Sequence, residues 1–207
     1  MAVTKAMRVF RENMGPGNPV FAQILGICST LAVTNVVKNT LIMCAGLTFT
    51  TALSNVTISA LRNIMPGRVR MMAEVMVIAA YVIFFDILLK AFQPDVSRQL
   101  GPYVGLIITN CIVMGRAEAF ALANPPRLSL IDGFTSGLGY SYVLLIIAFF
   151  RELIGSGSLW GVKVLGEGWV NWTFLIMAPG GFFALAILVW IVKGWVLFKP
   201  HVQEAKP

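Results

Sequence analysis

The sequence predicts an all-α integral membrane protein of six transmembrane helices, arranged as two inverted three-helix repeats with helices one and four interrupted near mid-membrane. Three observations carry this. Of 207 residues, 57% are hydrophobic and 12% charged, against about 25% charged in ordinary soluble domains. Cutting the chain at its charged residues leaves six apolar stretches, each near the roughly 20 residues a helix needs to cross a bilayer. The first and fourth of these place a cysteine among polar residues at matching positions. Connections between the stretches are short, so residues 1–207 form one membrane domain, with repeat 1 over about 1–95 and repeat 2 over about 96–207.

A polar tail ends at Gly15-Pro16-Gly17, and the first span runs from Pro19 to Val37. It is longer than a signal-peptide core and lacks a small-residue cleavage site, so a retained helix is expected. Cys28, Ser29 and Thr30 lie near its centre. The second span, Asn39 to Leu61, carries Cys44, Thr48, Thr50, Thr51, Ser54 and Thr57, small residues suited to close helix packing. The third, Met71 to Leu89, has Glu74 near one end and Asp86 near the other. Lys90 lies four residues beyond Asp86, a spacing that makes an ordinary ion pair on one helix face.

The fourth span, Gln99 to Phe120, brings Thr109, Asn110 and Cys111 together and then meets Arg116 and Glu118. Polar groups at that depth are costly without partners, which makes the stretch a functional-site candidate. Asn124-Pro125-Pro126 through Gly133 reads as a loop, and Gly133, Gly137 and Gly139 give the fifth span, Gly133 to Phe150, a thin surface. Gly155 to Gly161 lacks the lysine of a phosphate loop and reads as a turn. For the sixth span, Gly168 to Val192, Trp160, Trp169 and Trp172 suit an outer aromatic belt, Trp195 marks the inner end, and Pro179-Gly180-Gly181 predicts a kink.

The net charge of +7 would suggest nucleic acid in a soluble protein; here the basic residues orient the helices, and no nucleic-acid partner is expected. With the N-terminus cytoplasmic, eleven of the sixteen Lys and Arg residues fall inside and five outside, so both termini are expected in the cytoplasm. Three cysteines within spans do not describe an extracellular disulfide framework.

The repeat has a register. Pro19 stands nine residues before Cys28 and Pro102 nine before Cys111, and the shared offset of 83 also aligns Ile24 with Ile107 and Asn35 with Glu118. A second echo pairs Leu61-Arg62-Asn63 with Phe150-Arg151-Glu152. Inverted repeats of this kind meet through interrupted helices near the midplane. Interruptions at Gly26 to Thr30 and at Thr109 to Cys111 would aim free backbone amides at the bilayer centre, where they attract anions. Such backbone needs protein around it. The alternative is two continuous helices whose Ser, Thr and Asn side chains bond back to their own carbonyls.

A lone membrane cysteine is usually a small apolar filler. Cys28 and Cys111 in matching positions instead point to one site, either a disulfide or a shared soft metal such as zinc, copper(I) or an iron-sulfur centre. Zinc and iron-sulfur sites ask for four ligands. Cys44 has no repeat mate and His201 lies in the tail, so a second chain would have to supply two more. A four-thiolate cluster is anionic and suits the positive ends of half-helices. Its use at mid-membrane is electron transfer across the bilayer.

The run Gly105 to Ala121, with Ser129-Leu130-Ile131-Asp132-Gly133, Gly137-Leu138-Gly139-Tyr140 and Phe149 through Gly157, resembles the D-subunit family of sodium-translocating NADH:quinone reductases. Leu25 to Thr34 fits the same family, and the likeness covers nearly the whole chain. The resemblance implies a component of the bacterial inner membrane that pairs with the homologous E-subunit and holds a [2Fe-2S] cluster with it. Two cysteines would come from each, here Cys28 and Cys111. The A-, B-, C- and F-subunits complete the complex, in which NADH, flavins and ubiquinone are bound by other subunits and sodium is exported. Cys44 is not part of the pattern. The E-subunit of the Rnf ferredoxin:NAD oxidoreductase shares much of Gly115 to Phe120, while Ser129 to Gly133 and Phe149 to Leu153 lean toward the quinone reductase.

Asp86 and Asp132 are the acids to test for sodium passage, since hard cations want oxygen ligands. Their structural roles would be a pair with Lys90 and a cap on the fifth helix. Two readings from other classes stand beside the electron relay: a secondary transporter, and a structural subunit without cofactor.

Overall fold

The computed structural model describes residues 7, 9–11, 13, 14, 17–63, 65–92, 94–159, 162, 163, 174 and 177–196. Helices build it, apart from a minimal antiparallel hairpin joining Ser158–Leu159 to Val162–Lys163. Among the described residues four helices are long and apolar enough to cross a membrane: Val37–Leu61, Arg70–Phe92, Tyr103–Ala121 and Pro126–Ser156. Pro179–Gly194 is a shorter apolar helix.

Helix α1 (Pro19–Gln23) opens on Pro19 beneath an Asn18 cap, whose Oδ1 accepts the Val20 N–H at 2.9 Å. Proline suits a first helical position because its missing N–H would have no partner there. The chain then breaks at Ile24 (φ 55°) and Gly26 (φ 86°) before α2 (Ile27–Val33) begins. A β-branched residue in the left-handed region is strained, and such strain collects at functional sites. The break therefore spans Ile24 to Gly26 and meets the expected Gly26 to Thr30 only at its first residue. Ser29 and Thr30 are helical instead, their hydroxyls donating back to the Gly26 carbonyl at 3.1 and 2.8 Å.

Helices α3 (Val37–Leu61) and α4 (Arg70–Phe92) follow, then α5 (Pro94–Ile108). The chain leaves helical geometry at Asn110, whose Oδ1 accepts the Ile112 N–H at 3.1 Å and caps α6 (Cys111–Arg116). A π-helical turn, Ala117–Ala121, continues it. Helix α7 (Pro126–Ser156) starts seven residues before Gly133, so most of the stretch expected as a loop is helix. Its two prolines act as an N-terminal signal. Pro179 likewise sits in the first turn of α8 (Ala178–Val196); residues 175 and 176, on the N-terminal side of the expected kink, lie outside the described residues. Trp160, Trp169 and Trp172 lie outside the described residues.

The core forms where α3 and α7 run antiparallel. A Cβ at Gly133 would lie 2.8 Å from the Thr51 carbonyl oxygen, and one at Gly137 2.8 Å from Thr48 Cα. Further along, Cys44 Sγ is 4.0 Å from the Ser141 carbonyl, and the Val37 N–H donates to Glu152 Oε2 at 2.6 Å. The hydroxyls of Thr48, Thr50 and Thr51 donate to carbonyls four residues back at 2.8, 2.7 and 2.6 Å. Satisfied within their own helix, these hydroxyls are not left unpaired on burial, and Thr48 and Thr51 pack against the glycines of α7. Cys44 is buried in this packing, the role expected of it.

Candidate functional site

The N-termini of the two short helices α2 and α6 meet. Cys28 Sγ lies 3.8 Å from Cys111 Sγ, and both are free thiols. The contact is antiparallel: Asn110 Nδ2 donates to Ser29 Oγ at 3.1 Å, and a Cβ on Gly26 would fall 2.9 Å from Ile112 Cδ1. That Cβ would also fall 2.5 Å from Tyr140 Cε2, so position 26 requires glycine for space as well as for its φ of 86°. Cys28 is exposed and Cys111 half-buried, so the sulfur pair opens on the chain's surface. Among the described residues no three His, Cys, Asp or Glu side chains come together as a ligand group.

Asn110 therefore caps α6 and ties it to α2. Asn110→Ala is expected to cost roughly 1–2 kcal/mol, read as a lower thermal unfolding midpoint of the solubilised protein. Asn110→Ser, which keeps a capping oxygen, should recover part of it.

Several charges at and beyond the end of α6 are engaged. Arg116 Nε donates to Asp132 Oδ2 at 2.9 Å while Nη2 bonds Oδ1 of the same carboxylate. Asn13 Nδ2 donates to Asp132 Oδ1 and to Thr135 Oγ1, each at 2.9 Å. Asp132 has no exposed surface and lies six residues inside α7, which is preceded by Pro125; it is a buried counter-ion and does not cap the helix. Glu118 pairs with Arg70, whose Nε is 3.9 Å from Glu74 Oε1. Lys90 Nζ is 2.6 Å from Asp86 Oδ2, the ordinary pair the spacing indicates. Arg151, only 2% exposed, donates to Thr34 Oγ1 at 2.5 Å and to the Met177 carbonyl at 3.2 Å.

A paired thiol at two opposed helix starts, in a chain of membrane-length helices, meets a family model described as Rnf-Nqr subunit, membrane protein, over residues 6–189. The chain belongs to the Rnf-Nqr family. It is 47% identical over 194 residues, 91% of each chain, to the D-subunit of the Na(+)-translocating NADH-quinone reductase of Shewanella sp. (strain W3-18-1). The D-subunit of Shewanella putrefaciens is equally similar, and that of Shewanella loihica is 48% identical over the same span. These relatives are subunits of an oxidoreductase complex, as their names state.

The structure brings together Cys28 and Cys111 in this Rnf-Nqr chain, and keeps Asp86 and Asp132 apart from them in separate ion pairs. Sequence reasoning missed Asn13, Tyr140 and the Arg116–Asp132 pair. Asn13 reads as part of a polar tail, and Arg116 and Asp132 are 16 residues apart on either side of a turn. Tyr140 stands within a glycine-rich stretch, Gly137 to Tyr140, that reads as packing surface.

Proposed function

We propose that this chain is the D-subunit of a Na+-translocating NADH-quinone reductase and that Cys28 and Cys111 supply half the ligands of a [2Fe-2S] cluster shared with the homologous E-subunit. The observation that carries this is the sulfur separation of 3.8 Å. A tetrahedral metal with thiolate bonds of about 2.3 Å has sulfur edges of about 3.8 Å, and tetrahedral thiolate sets select zinc or iron-sulfur centres. The donor set present fits half of such a group. The rest would come from a partner seated over the exposed Cys28.

When bound, the cluster supplies one-electron storage near the middle of the bilayer. The chain's own residues do the holding. Gly26 and Asn110 start the two short helices, so each cysteine sits in the first turn of its helix, where the helix dipole favours negative charge. The antiparallel contacts of α2 with α6 and of α3 with α7 support two inverted repeats, about residues 1–95 and 96–207; six spans and two cytoplasmic termini in a bacterial inner membrane are part of the same proposal and rest on the apolar stretches and the Lys and Arg distribution of the sequence. In the assembled complex, the A-, B-, C- and F-subunits join this pair, and bind NADH, flavins and ubiquinone. Asp86 and Asp132, each held in an ion pair, are the acids to test for sodium passage. A sodium ion at Asp132 would compete with the Arg116 guanidinium for the same carboxylate. Relatives of 47–48% identity named as D-subunits of the quinone reductase favour this reading over the Rnf E-subunit.

The experiment is low-temperature EPR with iron and sulfide assays on the complex purified without oxygen. Wild type is compared with Cys28→Ala and Cys111→Ala. Each substitution is expected to abolish one two-iron signal while the other iron-sulfur signals and the subunit composition stay intact. Full signal and iron content in both variants would make the cysteines packing residues.

A further inference from the structure

Behind the two thiols lies a satisfied polar network that neither the sulfur geometry nor the helix caps require. Ser29 Oγ donates its one proton to the Gly26 carbonyl at 3.1 Å and accepts from Asn110 Nδ2 at 3.1 Å. Tyr140 Oη closes on the same Ser29 oxygen. A serine hydroxyl has one donor and two lone pairs, so Tyr140 is the donor to the remaining pair. Tyr140 has no exposed surface, and its ring presses on Gly26, the residue that admits it. Ser29 follows Cys28 and Asn110 precedes Cys111, so one phenol from α7 reaches the residue beside each thiol through a single shared oxygen. Phenylalanine would fill the same space without a polar group to satisfy, and a buried hydroxyl costs stability unless it is bonded.

We propose that Tyr140 is a positioning residue of the thiol site: its O–H, acting through Ser29 and Asn110, holds Cys28 and Cys111 in register and contributes a fixed dipole that raises the reduction potential of the group they bind. This rests on the cluster reading given above. Fixed dipoles with their positive ends toward an anionic centre stabilise added negative charge, and hydrogen bonding and burial are among the factors that set iron-sulfur potentials. The low dielectric of a bilayer interior strengthens the effect.

The test is an anaerobic redox titration of the complete complex followed by EPR, comparing wild type with Tyr140→Phe. Iron content and assembly should be unchanged, and the reduction equilibrium of the two-iron centre should fall about three- to tenfold, tenfold being 59 mV for one electron. Ser29→Ala, which removes the acceptor and leaves the phenol, should shift it in the same direction. The double variant should add little, because both substitutions act in one network. A midpoint unmoved in Tyr140→Phe at full iron content overturns the proposal. Where Tyr140→Phe fails to assemble, Ser29→Ala decides, and an unmoved midpoint there overturns it equally. Absence of a two-iron signal from the wild-type complex would instead remove the cluster reading on which the proposal rests.

Discussion

Asp132→Ala is expected to destabilise the protein by about 3–5 kcal/mol. Asp132 is fully buried, and its carboxylate holds both Arg116 nitrogens and the Asn13 amide. Removing it leaves a guanidinium with side-chain exposure of 10% and no counter-ion. The bridge spans three segments, so its loss loosens the tail, the end of α6 and the start of α7 together. Thermal unfolding of the solubilised protein measures the drop. The pair Arg116→Met with Asp132→Leu should recover most of it, because apolar replacement of both members of a buried pair is often neutral. Recovered stability with sodium-dependent turnover still depressed separates an ionic role for Asp132 from a structural one. Turnover at the wild-type level in the recovered double variant removes Asp132 from the sodium path.

Gly137→Leu is expected to abolish assembly. The backbones of α3 and α7 approach so closely that a single added methyl would meet Thr48 Cα at 2.8 Å, and the obstacle is main chain, which cannot rotate aside. Overpacking a close-packed site usually costs about 1–3 kcal/mol; here four heavy atoms must fit where one does not, so the two helices have to separate. Gly137→Ala should be the milder case, and Leu138→Ala, on a neighbouring exposed position, should leave assembly intact. The measurement is the yield of intact complex by size exclusion. Wild-type yield of the leucine variant would mean that α3 and α7 do not meet across Gly137.

Much of the site was legible because two kinds of signal agreed. Cys28 and Cys111 share an offset and polar neighbours, and two sulfurs 3.8 Å apart are the physical form of that pattern. The glycines of α7 likewise read as a thin surface and pack as one. Helix boundaries were less legible where proline was involved. Pro125 and Pro126 read as loop residues, yet proline at a helix start lacks only a donor that has no use there. The break before Cys28 includes the expected Gly26 but begins earlier, at Ile24, which takes a left-handed conformation that its β-branched side chain disfavours. No local pattern announces that choice. The Asn13, Arg116 and Asp132 network was illegible for another reason: its members belong to three segments, and only the folded chain makes them neighbours.

Cys28 is exposed, Cys111 is half-buried, and no third ligand stands nearby among the described residues. Under the cluster reading proposed above, a half-site at the edge of a chain ties biogenesis to pairing. On that reading the protein inserted alone into a membrane would present two bare thiols to whatever oxidant or stray metal reached them, and would not retain iron by itself. Loading would then act as a checkpoint, because the complete ligand set would exist only once two partners had docked face to face.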